Sequence, residues 1–153
     1  MDSRSVHAFI IGEHGDTELP VWSSANVSGI DLADFCKVCG KCADMAGLHG
    51  IYEEVKNSAY RIIERKGATN YAIAKAVRRI AEAIVRDENS VLPVSGLADG
   101  HYGLHDLCLG LPAIVGREGI KQILDFPLDE AEHRALEASA AALSDVLAEI
   151  EPN

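Results

Sequence analysis

His14 is the residue of this chain best placed for proton chemistry. It lies in the polar turn Gly12-Glu13-His14-Gly15-Asp16, directly after the apolar, partly β-branched run Val6 to Ile11, which reads as a buried strand. Imidazole titrates near neutrality, so a rigid strand that delivers it into a loop can supply a general acid or base with little ordering cost. Gly12 and Gly15 flank the ring and let backbone or substrate come close. Judged on spacing alone, a lone histidine in a turn is more often a solvated residue, and Asp16 reads as a turn carboxylate rather than the partner that orients the ring.

The second group with chemistry in it is Cys36-Lys37-Val38-Cys39-Gly40-Lys41-Cys42. Thiols at this spacing suggest a metal or iron–sulfur site, with His49 or Cys108 as a fourth ligand. A helix starting at Asp31 instead spreads the three thiols over one broad face, as small core or interface residues. The helical reading is preferred, and no metal site is expected.

These groups need elements to hold them. After the turn, Glu18 to Asn26 reads as extended, because Pro20 excludes a helix interior. Asp31 can cap a short helix to about Lys41. Met45, Leu48, Tyr52, Val55, Ala59 and Ile62 recur at helical steps and predict one long helix from about Asp44 to Lys66, stopped by Gly67. The next helix runs from Thr69 to about Asp87, with Ile73, Val77, Ile80 and Ile84 as its buried stripe. Alanines 72, 76 and 83 would pack it on a neighbouring helix.

From Ser90 to Phe126 the pattern changes to short apolar runs, Val91 to Leu97, Leu107 to Val115 and Ile120 to Phe126, separated by glycine turns. These predict antiparallel strands, with His101 and His105 exposed in the first connection. Asp129 then caps a final helix, with Glu132 as its capping-box partner and Leu128 as a staple. Leu136, Ala140, Leu143, Leu147 and Ile150 form that helix's apolar seam. The pattern as a whole is one α+β domain, residues 1–153, an antiparallel sheet packed with long helices.

The chain has 153 residues, with 24 acidic side chains against 14 basic, for a formal charge of −10. That length suits one core burying roughly two thirds of the unfolded surface. The charge disfavours nucleic acid and anionic membrane surfaces as partners. No apolar run is long enough for a membrane span and no signal sequence opens the chain, so a soluble, cytoplasmic protein is expected.

Residues 10 to 23, Ile-Ile-Gly-Glu-His-Gly-Asp-Thr-Glu-Leu-Pro-Val-Trp-Ser, resemble the active-site segment of L-lactate dehydrogenases, which are NAD-dependent 2-hydroxyacid dehydrogenases. The likeness continues through Lys66 to Ala74 (Lys-Gly-Ala-Thr-Asn-Tyr-Ala-Ile-Ala), Val91 to Ser95, and Leu111 to Ile120 (Leu-Pro-Ala-Ile-Val-Gly-Arg-Glu-Gly-Ile). Members of that family carry an N-terminal Rossmann domain with a Gly-x-Gly-x-x-Gly turn, and no such turn occurs here. The resemblance therefore implies an isolated C-terminal, substrate-side domain, expected to be a truncated fragment with Met1 as its start.

The resemblance also implies roles. His14 would exchange a proton with a small 2-oxo or 2-hydroxy acid while NAD carries the hydride. Thr69 would contact the substrate's side-chain end or cap its helix, and Ser58 and Ala59 would line the same pocket as small residues. Ile73 would pack on the nicotinamide, although alone it reads as a core isoleucine. His7 matches half of a fructose 1,6-bisphosphate site at a subunit interface, although alone it reads as a buried strand histidine. The orienting aspartate and both substrate arginines fall upstream of residue 1, so weak or no turnover is expected from this chain alone. The other readings are a non-catalytic association module forming a homo-oligomer, a malate dehydrogenase domain, and a metal module on Cys36, Cys39 and Cys42.

Overall fold

In the computed structural model, which describes residues 2–39 and 46–150, the run expected as one strand from Val6 to Ile11 divides in two. The small strands are β1 (Val6–His7), β2 (Ile10–Ile11), β3 (Leu19–Pro20), β4 (Asn26–Val27) and β5 (Ile30–Asp31). β4 pairs antiparallel with β1 and β5, whereas β2 pairs with β3. Val6, His7 and Ala8 are exposed and only Ile11 is buried, so His7 is not the buried strand histidine that its neighbours suggest. The run changes sheet after Ala8, and burial begins only where the backbone reaches the central sheet.

α1 (Leu32–Cys39) follows at once, carrying Cys36 and Cys39 half-buried. The expected helix end at Gly40 and Lys41, and Cys42 with it, lie outside the described residues. The single helix expected from Asp44 to Lys66 is two: α2 (Ala46–Lys56) and α3 (Ser58–Lys66). Asn57 makes the break. Its Nδ2 donates to Glu53 O at 2.8 Å, beside its own backbone N–H at 3.1 Å, the local competition that short amide side chains bring to helices. Gly67 ends α3 in the left-handed region (φ 81°), its N–H on Ile63 O at 2.7 Å.

α4 (Tyr71–Val85) starts two residues later than expected, with Asn70 and not Thr69 at its cap. Its apolar stripe is only partly covered: Ile73 and Val77 are 57% and 59% exposed, while Ile80 and Ile84 are half-buried. The helix packs chiefly on a strand, and the fully buried Ala83 lies in its C-terminal half. Ala72 and Ala76 are exposed, so the expected alanine face is not a helix–helix contact.

The central sheet is antiparallel in the order β6-β7-β8, from β6 (Ser90–Ala98), β7 (Leu107–Gly116) and β8 (Gly119–Ile123). β6 and β7 run in continuous register from Ser90↔Val115 to Ala98↔Leu107, which sets Pro93 opposite Pro112. Pro112 O accepts from Leu124 N at 2.8 Å, so its backbone polar group faces the β8 side and the proline pair removes no bond between β6 and β7. In the connection to β7, His101 is half-buried rather than exposed, with Nδ1 2.8 Å from Asp125 Oδ1. Tyr102 beside it accepts from Phe126 N at 2.7 Å.

α5 (Glu130–Ile150) closes the fold. Asp129 Oδ1 accepts from Ala131 N and Glu132 N, both at 2.8 Å, and Glu132 Oε2 accepts from Asp129 N at 3.0 Å: the reciprocal capping box. Leu136 and Ala140 are buried, joining Ile11, Leu19, Leu109 and Leu111 in the core. Leu147 and Ile150 are 44% and 69% exposed, so the expected seam is covered only as far as Leu143. No helix among the described residues is long and apolar enough to cross a membrane.

Candidate active site

Two glycines fix the corner at which β2 ends. Gly12 and Gly110 of β7 exchange backbone hydrogen bonds at 2.9 Å in each direction, and Gly12 takes φ +98°. A side chain at Gly12 would put its Cβ 2.7 Å from Ser139 Oγ, so glycine is required both by the dihedral and by the helix behind it.

The turn that follows is tied on itself. Glu13 accepts through Oε2 from Thr17 N at 3.2 Å and Thr17 Oγ1 at 2.7 Å, and Glu13 O accepts from Gly15 N at 3.1 Å. It is also tied outward. Glu13 N donates to Ser139 Oγ on α5 at 2.7 Å, Lys56 Nζ on α2 donates to Asp16 O at 2.7 Å, and Tyr60 OH on α3 donates to Asp16 Oδ1 at 3.2 Å. Tyr52 OH on α2 donates to Glu18 O. His14 is thus an exposed ring on a turn bound to three helices.

His14 opens onto a cleft of about 680 Å3 whose walls include Glu18, Ile73, Ile80, Ser95 and Cys108. Burial holds the Glu18 carboxyl above the usual glutamate range and the Glu13 charge adds to this, while the charges of His14 and Lys56 oppose it. Burial likewise raises the Tyr52 phenol, helped by the charges of Glu18 and Glu53. The cleft therefore combines an imidazole, a partly desolvated carboxyl and an aliphatic wall. Such a wall suits a flat ring, and the imidazole suits an oxygen that gains or loses a proton.

The structure brings His14 and Ile73 onto one cleft. Ser58 and Ala59 on α3 and Thr69 before α4 are exposed and lie outside its lining. Ser58 Oγ donates to Val55 O at 2.7 Å. His7 is on β1, opposite Asn26 in register. Among the described residues no cluster of histidine, cysteine or carboxylate side chains is placed to hold a metal ion. Sequence reasoning missed Ser139, Lys56 and Tyr60, and read Tyr52 only as part of an apolar stripe. Nothing local in the sequence pairs them with a turn 34 to 126 positions away.

The family model for the lactate/malate dehydrogenase alpha/beta C-terminal domain matches residues 1–152. An L-lactate dehydrogenase of Acetivibrio thermocellus is 52% identical over 147 residues, covering 96% of this chain and 46% of the relative. One from Thermoanaerobacterium saccharolyticum is 49% identical over 151 residues, 99% of this chain and 49% of the relative. Among solved structures, the minor L-lactate dehydrogenase of Enterococcus mundtii in its ligands-bound form superposes with a TM-score of 0.92 at 37% identity, covering 99% of this chain and 48% of that one. A malate dehydrogenase of Salinibacter ruber gives 0.87 at 31%, covering 97% and 47%. The chain spans about half the length of the curated relatives it matches.

Proposed function

Because this chain belongs to the lactate/malate dehydrogenase family, as its alpha/beta C-terminal domain, we propose that it is the substrate-side domain of an NAD-dependent L-lactate dehydrogenase in which His14 handles the proton. The observation that carries this reading is that His14, on a turn bound to three helices, and Ile73 line the same cleft. NADH, when bound, supplies the hydride that reduces the carbonyl of a small 2-oxo acid such as pyruvate. Protonated His14 donates its N–H proton to the carbonyl oxygen as charge develops there, and neutral His14 takes it back from the hydroxyl in the reverse direction.

Ile73 and its neighbours present an aliphatic face that fits the nicotinamide end of the cofactor. No Gly-x-Gly-x-x-Gly turn is present to hold the pyrophosphate, so the fit is to one end only. Ser58, Ala59 and Thr69 are assigned to the substrate pocket and His7 to half of an effector site for fructose 1,6-bisphosphate. Those assignments rest on the family likeness, and the pocket residues would need contributions from residues other than those of this chain to enclose substrate. A cytoplasmic homo-oligomer is part of the same proposal.

The purified chain is expected to give little or no turnover of pyruvate with NADH, because the cofactor is not oriented. Joined to the nucleotide-binding half of the Acetivibrio thermocellus enzyme, it should regain turnover. His14→Asn should then cut kcat by about 10²-fold or more. Full activity of the His14→Asn hybrid would overturn the assignment, and a preference of the hybrid for oxaloacetate would favour malate.

A second reading, an association module, is favoured by the exposed Tyr71, Ile73 and Val77 on α4. A monodisperse monomer in light scattering at high concentration would count against it.

A further inference from the structure

Ser139 is fully buried in α5, and its hydroxyl does not serve its own helix. A serine inside a helix commonly returns its hydroxyl to the carbonyl one turn back, as Ser144 does to Ala140 O at 3.1 Å. Ser139 instead meets the turn that carries His14 from both sides: Glu13 N donates to its Oγ at 2.7 Å, and Thr17 Oγ1 lies 3.3 Å away.

Proton accounting fixes the direction of these contacts. Each hydroxyl has one proton to give. Thr17 spends its proton on Glu13 Oε2 at 2.7 Å, because a carboxylate can only accept. Ser139 must then be the donor to Thr17 Oγ1. The bonds close into a ring: Glu13 N–H to Ser139, Ser139 O–H to Thr17, Thr17 O–H back to Glu13. It begins and ends on the residue before His14 and passes through the turn three residues after it. Bonds arranged head to tail polarise one another, and a partly buried ring of this kind holds its members more firmly than isolated contacts.

We infer that Ser139 is a positioning residue for His14, fixing the direction in which the imidazole enters the cleft by holding the Glu13 N–H before it and the Thr17 hydroxyl after it. Its value to catalysis rests on the proposed role of His14, but the clamping itself does not depend on that role.

The test is imidazole NMR on this chain, measuring ring relaxation of His14 with His101 and His133 as internal controls. His133 is on the same helix, with Nδ1 3.3 Å from Glu137, and His101 is held by Asp125 at 2.8 Å. Ser139→Ala and Thr17→Val should each free the His14 ring and speed exchange of the Glu13 amide, by about tenfold in Ser139→Ala. His101 and His133 should not change, and Thr17→Ser, which keeps the hydroxyl, should restore the ring. If the His14 ring is as ordered in both variants as in the parent, or if all three histidines loosen together, the inference is wrong. Should Ser139→Ala not fold, the Thr17→Val and Thr17→Ser pair decides it. Loss of the proposed enzymatic role would appear separately, as an active His14→Asn hybrid with the ring result intact.

Discussion

Gly12 and Gly110 approach so closely that a Cβ on Gly110 would stand 2.9 Å from Gly12 O, while Gly12 itself takes φ +98° and faces Ser139 Oγ, 2.7 Å from where its own Cβ would lie. The pair joins the end of β2 to the middle of β7, and everything from Glu13 to Glu18 hangs from it. The close contact at Gly110 is with backbone, which cannot rotate aside.

Gly110→Ala is therefore expected to open the bridge and destabilise the fold by about 1–3 kcal/mol, as overpacking does elsewhere. The denaturation midpoint should fall with an unchanged slope. A midpoint equal to that of the parent would mean the corner relaxes freely.

The start of α5 invites a graded comparison. Asp129→Ala removes an acceptor for two amides and should cost about 0.5–2 kcal/mol. Glu132 is buried and also accepts from Ser23 N at 2.9 Å and from the Ser23 hydroxyl, so Glu132→Ala strands donors from a second segment. It should cost more than Asp129→Ala, with Glu132→Gln between the parent and Glu132→Ala. Chemical denaturation of the three variants orders them.

Glu18 sets a pH dependence. Its folded pKa is raised, chiefly by burial, so between the ordinary glutamate value and the higher folded value the folded state keeps a proton that the unfolded state has released. Stability contributed here therefore falls as pH rises through that window. Relative to the parent, Glu18→Gln should gain in Tm as pH is raised through the window and level off above it. A Tm difference that stays flat with pH would show that Glu18 titrates normally.

How much of this was legible in the sequence depended on how local the cause was. Asp129 and Glu132 declare a capping box because their spacing is the mechanism. The three long strands follow from apolar runs punctuated by glycine, within a residue or two at most boundaries. The division of Val6 to Ile11 was not legible, because its two halves take different partners, Asn26 and Val27 for the first and Leu19 and Pro20 for the second, with Gly110 beyond them. The Asn57 break was missed because periodicity cannot see a side-chain amide competing for Glu53 O. α4 shows the limit of amphipathicity: Ile73 and Val77 mark an apolar face, but not whether this chain covers it. At the site, the placement of His14 at a strand end was readable. Ser139 was not, since a serine among alanines in a helix carries no signal of the turn it holds.

The proline at the middle of β6 has a consequence for how copies of this chain meet. Among the described residues β6 has β7 on one side only, and a long uncovered strand invites cross-molecular extension into ribbons and fibrils. With its neighbour across the ladder facing β8, Pro93 turns its missing N–H toward that open rim. An incoming strand would find a gap midway along, so the edge resists templated growth while the inner ladder stays whole.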